Sequence, residues 1–223
     1  MTKKLKLLTA LVTITAMLWT VGKAASAHGW GERDDFKLVG GARLVTGGIA
    51  PHDVAVDLTS NCGNQAYSPT CYTNAAAFVF SNVVFVPDKN SMTLSEIKTL
   101  LTDYNMNGTD CMDGAPRFVI VTNMHNYVAN FGKAPFGGNC YYGWQNTGNM
   151  TSLTDPTLRW QVDLANTFIT WSAVEASHGT EVVTEVAIVL DSGWGAPRGQ
   201  DVTIDTFTIN KEVMNFSEET HDR

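Results

Sequence analysis

The amino-acid sequence predicts an all-β domain, a sandwich or barrel built from many short strands. Three observations lead there. Apolar and polar residues alternate with a period of two in the clearest segments. The other candidate segments are rich in β-branched and aromatic side chains. Gly, Asn, Asp or Pro separate most of them. In chain order, Lys37–Val45 is the first strand candidate. Val54, Val56 and Leu58 then alternate with Asp53, Ala55 and Asp57. Ala77–Val86 and Arg117–Thr122 follow, and Leu158–Leu164 alternates without an error, which places Trp160 on an apolar face. Val182–Leu190 and Val202–Ile209 complete the set. Two segments break the pattern. Thr93-Leu94-Ser95-Glu96 is a capping box, and Ile97, Leu100 and Leu101 continue an apolar stripe, so a helix of two to three turns is predicted there. Phe168–Ser177 predicts another short turn of helix, ended by Gly179. No internal repeat, low-complexity tract or linker divides the chain.

The N-terminal residues stand apart from this fold. Lys3, Lys4 and Lys6 precede an almost uninterrupted apolar run from Leu7 to Val21, and Ala25-Ser26-Ala27 has the small residues of a signal-peptidase site. A membrane anchor is the competing reading, since about 17 residues just span a bilayer. The cleavage site and the lack of basic residues straight after it favour a signal peptide over residues 1–27. A single secreted or extracytoplasmic domain over 28–223 follows, with no membrane span once the signal is removed. Cleavage removes four lysines and no acid from a chain of net charge −7, which leaves 11 basic side chains against 22 acidic ones. Nucleic acid and anionic membranes both need a basic surface, so that balance excludes them as partners. Divalent cations and neutral polymers remain compatible with it.

All four cysteines lie beyond the signal, an even number in a compartment where disulfides persist. Cys62 and Cys71 bracket the short loop GNQAYSPT, and Cys111 and Cys140 bracket a longer one. Four cysteines allow three connectivities, of which the local pairs Cys62–Cys71 and Cys111–Cys140 are the simplest. A zinc site would compete for these thiols, but no C-x-x-C pair is present.

The runs TLSEIKTLLTDYNMNGTDCMDGAPRFVIV, CYYGWQNTGNM and ITWSAVEASHGTEVVTEVAIVLDSGW, closing on VTIDTFTIN, resemble a group of secreted β-jelly-roll domains. The closing "DSGW … VTID … TIN" is similar to the last strands of carbohydrate-binding jelly rolls. The resemblance covers residues 92–210 and implies a jelly-roll β-sandwich with one or two short helices in its connections. It is a resemblance of fold, and fold alone assigns no chemistry.

Chemistry has to come from particular side chains. Asp205 shares a strand face with Phe207 and Ile209 by alternation, and a carboxylate turned inward needs a partner. The resemblance implies a structural calcium between the closing strand and the N-terminal segment, with Asp205, Glu32, Asp34 and Asp35 as ligands. The alternative is that Val202 and Ile204 face the core and Asp205 faces solvent. Asp103, Asp110 and Asp113 form a second acidic loop without EF-hand spacing, which reads as a solvated turn. Tyr141, Tyr142 and Trp144 lie in a Gly/Asn-rich segment, and Trp194 lies between glycines. Such rings suit the C–H faces of sugars, with Asn146 and its neighbours bonding hydroxyls; the competing role is to cap the sandwich ends. Cleavage after Ala27 would expose His28, whose amino group and imidazole chelate copper together, with His52, His125 or His178 as a further nitrogen.

Other enzyme signatures are absent. The chain has no G-x-S-x-G, H-E-x-x-H or Gly-rich phosphate loop. Glu181 and Glu185 read as charges on a solvent face. The reading is therefore an exported, non-catalytic binding or surface-interaction module for a polysaccharide or cell-surface glycan. A copper-dependent oxidative enzyme using His28 and a structural envelope or matrix protein are the alternatives. Asn107, Asn149 and Asn215 each sit in an N-x-S/T sequon.

Overall fold

The computed structural model describes residues 36–50, 53–60, 81–85, 92–108, 111, 116–135, 140, 142–191, 200–214 and 216. The expected signal peptide, the start of the domain at residue 28, and Cys62 and Cys71 lie outside them. Among the described residues the strands are β1 (Phe36–Gly40), β2 (Arg43–Thr46), β3 (Val54–Ser60), β4 (Ser81–Phe85), β5 (Leu100–Asn105) and β6 (Arg117–Thr122). They continue as β7 (Asn126–Asn130), β8 (Trp144–Asn146), β9 (Trp160–Val162), β10 (Val183–Leu190), β11 (Gln200–Ile209) and β12 (Glu212–Met214). Among the described residues one α-helix, α1 (Trp171–His178), precedes β10. None of the described helices is long and apolar enough to cross a membrane.

The strands form two antiparallel sheets, ordered β1-β4-β10-β6-β7-β9 and β2-β3-β11-β5-β8, with β12 paired to β11. Within them, β3-β11-β5-β8 and β4-β10-β6-β7 are nested. The earliest strand of each lies beside the latest, and the middle strands fill inward. That order is a jelly roll, as the resemblance implied. The two sheets meet face to face. Phe85 of β4 stacks on Phe207 of β11 with ring centroids 3.9 Å apart and planes 5° apart. Phe118, Tyr127, Trp160, Val186, Ile188, Val56 and Leu58 complete this buried layer.

A second apolar cluster occupies the other face of the β4-β10-β6-β7 sheet, where Val84, Val119, Val128, Ala187 and Val189 are also buried. Strands apolar on both faces read as continuous runs, which is why β4, β6 and β10 show β-branched richness and little alternation.

In β11 both proposed facings occur at once. Val202 and Ile204 belong to the core, and so do Phe207 and Ile209, although their parities differ. The register against β5 shifts between Asp205 and Phe207, and Thr206 has φ +45°. This β-bulge inserts one extra residue and rotates the second half of the strand onto the core. Asp205 is therefore on the face shared with Thr203 and Asp57, turned away from the core. It is nonetheless buried, with 2% of its surface exposed.

Several expectations need correction. The capping box forms at Thr93, with Glu96 accepting the Thr93 N–H at 2.7 Å, but only a 3-10 turn over Leu94–Glu96 results. Asn210 Oδ1 takes the Lys98 N–H at 2.7 Å and Asn149 Oδ1 takes that of Leu100 at 3.1 Å. Leu100 then begins β5, whose ladder with β11 outweighs the local helical preference. Lys37–Val45 is two strands in different sheets, broken after Gly40, whose φ of +71° turns the chain. Leu158–Leu164 is a strand only over Trp160–Val162; Leu158 is exposed, and Asp163 and Leu164 turn the chain at positive φ. The helix predicted near Phe168–Ser177 is α1, capped by Thr170 Oγ1 and ended at Gly179. Cys111 and Cys140 form a disulfide with Cα atoms 5.3 Å apart.

Candidate functional site

The outer face of the β2-β3-β11-β5-β8 sheet is assembled by strand alternation. Val56 and Leu58 point inward, so Asp57 points outward; register places it between Arg43 of β2 and Thr203 of β11. On the far side of β11, Thr203 pairs with Asn105, Asn105 with Trp144, and Asp103 with Asn146. One face thus carries guanidinium, carboxylate, hydroxyl and amide groups across five strands, ending in an indole.

These groups are fixed to one another. Arg43 Nε and Nη2 donate to Asp57 Oδ2 at 2.9 and 2.7 Å, a fork on one oxygen. Asn107 Nδ2 donates to Asp201 Oδ1 at 2.6 Å and Thr203 Oγ1 at 2.7 Å. Asn146 Nδ2 donates to Asp103 Oδ1 at 2.7 Å. Burial raises the Asp201 carboxyl above the usual range, and the adjacent Asp57 carboxylate pushes it further up against the pull of Asn107 and Arg43. Asn107 and Asn149 both use their amide nitrogens internally, Asn149 to the Lys98 carbonyl at 2.9 Å. Asn107 spends both amide hydrogens on Asp201 and Thr203, so a glycan attached at its nitrogen would displace one of those bonds.

Asp205 sits at the edge of this face, under the β2–β3 loop. Its Oδ2 accepts the Ile49 N–H at 2.7 Å, and its Oδ1 accepts that of Thr206 at 2.7 Å. A Cβ at Gly48 would lie 2.6 Å from Oδ2, so only glycine lets the loop approach this closely. Glu32, Asp34 and Asp35, the other expected calcium ligands, lie outside the described residues, as does His28. The aromatic candidates divide similarly. Trp144 is half-buried on β8, Tyr142 is 82% exposed just before it, and Asn146 is exposed. Tyr141 and Trp194 lie outside the described residues. Sequence reasoning missed Arg43, Asp57, Asn105, Asn107, Asp201 and Thr203; the Asp57 alternation in β3 was the available signal.

A second cluster occupies the end of the other sheet. His125 lies in the β6–β7 turn, His178 ends α1, and Glu181 lies just before β10. Glu181 is buried, 6% exposed, which corrects its reading as a solvent-face charge. β10 begins only at Val183 and is bulged before Glu185, so Glu181 and Glu185 do not share a regular strand face. Thr122 Oγ1 and Tyr127 Oη both donate to Glu181 Oε2, at 2.6 and 2.8 Å, and His178 Nδ1 lies 2.8 Å from Oε1. Burial opposes ionisation of Glu181, but these three bonds and the nearby His125 outweigh it and hold the carboxyl below the usual range. Burial, the bond to Glu181 and the charges of Glu181 and Asp163 push the Tyr127 phenol far up.

Neither a protein-family model nor a curated protein matches this chain. Among solved structures it is similar to the family 11 carbohydrate-binding module of the cellulosomal cellulase Lic26A-Cel5E of Clostridium thermocellum. The identity is 8% and the TM-score 0.43, over 88% of this chain and 100% of that one.

Proposed function

We propose that this protein is an exported, non-catalytic carbohydrate-binding module whose ligand lies on the outer face of the β2-β3-β11-β5-β8 sheet. One observation carries the reading: the indole of Trp144 stands beside a row of side-chain amides and carboxylates already locked by mutual hydrogen bonds. A sugar needs an apolar plate for its C–H face and fixed donors and acceptors for its hydroxyls. Fixing those groups before binding lowers the entropy lost on association. Tyr142, exposed beside Gly143, extends the aromatic surface. The acidic balance favours neutral over sulfated polysaccharides. Export is supported by the signal-like residues 1–27 and the Cys111–Cys140 disulfide.

The test is a glycan array, followed by calorimetry of the retained polysaccharide against Trp144→Ala and Asn107→Ala. Each ring buried on a sugar contributes on the order of 1–2 kcal/mol, so Trp144→Ala is expected to weaken binding about 5–30-fold. Retention of no glycan, or an unchanged affinity in both variants, would leave the structural-protein reading in place.

A further inference from the structure

We propose that His125 Nε2, His178 Nδ1 and Glu181 Oε1 form a binding site for one divalent transition-metal ion of the zinc class. Three donor atoms from two chain segments, the β6–β7 turn and the end of α1 with the residues just after it, converge here, all within 4.8 Å of one another. His178 Nδ1 is 2.8 Å and His125 Nε2 is 3.8 Å from Glu181 Oε1. Ligands at zinc bond lengths of about 2.0–2.1 Å in tetrahedral array stand about 3.3–3.4 Å apart. The observed spacings straddle that value, so small side-chain rotations suffice.

The surrounding groups orient the donors. Asp163 Oδ2 lies 2.8 Å from His125 Nδ1. A carboxylate only accepts, so Nδ1 carries a proton, and the neutral ring offers a metal its Nε2, which lies 3.8 Å from Glu181 Oε1. Carboxylate–imidazole pairs of this kind fix the tautomer of metal-ligating histidines. Thr122 and Tyr127 both occupy Glu181 Oε2, which leaves Oε1 turned toward the imidazoles. The His125 and His178 rings pack edge to face, 5.2 Å between centroids, and Tyr127 packs against both, 5.6 Å from His178 and 6.4 Å from His125. On metal binding the proton on His178 Nδ1 moves to Nε2, and the ion replaces the bond to Oε1.

Access and donor type agree. The side chains of His125 and His178 are 32% and 27% exposed, while Glu181 is 6% exposed. An ion can therefore enter from solvent and keep an open fourth position for water. Two imidazoles and one carboxylate suit zinc and its neighbours rather than calcium, which takes oxygen ligands. A hydrogen bond from His178 and an ion pair from a protonated His125 would hold the same groups without a metal, and a zinc titration separates the two.

The experiment uses the full chain without a histidine tag, stripped by chelation and titrated with Zn²⁺ by calorimetry. Co²⁺ absorption serves as an independent readout of ligand geometry. One saturable equivalent and tetrahedral-type cobalt bands are expected. His125→Ala and His178→Gln should each abolish both signals with the circular dichroism unchanged. Asp163→Asn should weaken zinc binding about 10–100-fold, because it only orients a ligand. Folded protein that binds no zinc saturably overturns the proposal, as does binding that survives both histidine variants.

Discussion

Inserting one residue after Thr206 should unfold the domain, whereas Thr206→Gly should stabilise it. The bulge at Thr206 is what lets Val202 and Ile204 on one side, and Phe207 and Ile209 on the other, all reach the core. A further residue inserted there reverses the parity and turns Phe207 and Ile209 outward from positions 0% and 3% exposed. Exposing two such side chains costs roughly 3–6 kcal/mol, before the cavity beneath Phe85 is counted. Domains of this kind are stable by only about 5–15 kcal/mol. Thr206→Gly acts in the opposite direction. A β-branched residue at φ +45° is strained by about 1–3 kcal/mol, and glycine returns part of that as unfolded-chain entropy. A net gain of about 1 kcal/mol raises Tm by roughly 2–4 °C in a domain of this size. Thermal unfolding followed by circular dichroism measures both variants. An insertion variant that melts like the parent would refute the parity argument.

Three other perturbations have defined outcomes. Replacing Cys111 and Cys140 by serine releases a loop with a sequence separation of 29, and the chain-entropy model puts the loss near 3.6 kcal/mol. Calorimetric melting under matched conditions checks this, and an unchanged Tm would contradict it. Glu181 is held below the usual carboxyl range in the fold, so its stabilisation is present above about pH 4.3 and lost as the pH falls through the lower folded-state value. Glu181→Gln should flatten the dependence of Tm on pH in that acid window. Tyr127 is shifted the other way, so its contribution is intact below about pH 10 and lost only above it. Its phenolate absorbance should appear with unfolding and not before, and Tyr127→Phe should remove that component.

The strand content was legible because β3, β6, β10 and β11 carry either a clean alternation or a β-branched run. Their order was not. It depends on pairings such as Val202 with Leu58 and Ile188 with Val83, which span over a hundred residues. The bulge at Thr206 left no mark, since neither Gly nor Pro occupies it. The capping box at Thr93 was read correctly as local chemistry. The helix expected beyond it lost to the β5 ladder and to Asn149 and Asn210, side chains far away in sequence.

The candidate site shows the same division. Trp144 and Asn146 stood out by composition as loop residues, yet they occupy a short strand beside β5. Arg43, Asp57 and Asp201 gave no joint signal because strand register alone unites them. His125 and His178 were visible only as spare imidazoles for a copper site at His28. Their partner Glu181 was masked by a strand-face reading that fails because β10 starts two residues later.

The claim that the sheet face binds sugar is tested most directly by nuclear magnetic resonance titration with neutral oligosaccharides. The side-chain signals of Trp144, Asn105, Asn107 and Asn146 report on the proposed surface. The account predicts saturable shifts of these signals, with His125 and His178 unmoved at the opposite sheet. Shifts confined to other residues, or none across the panel, would contradict it.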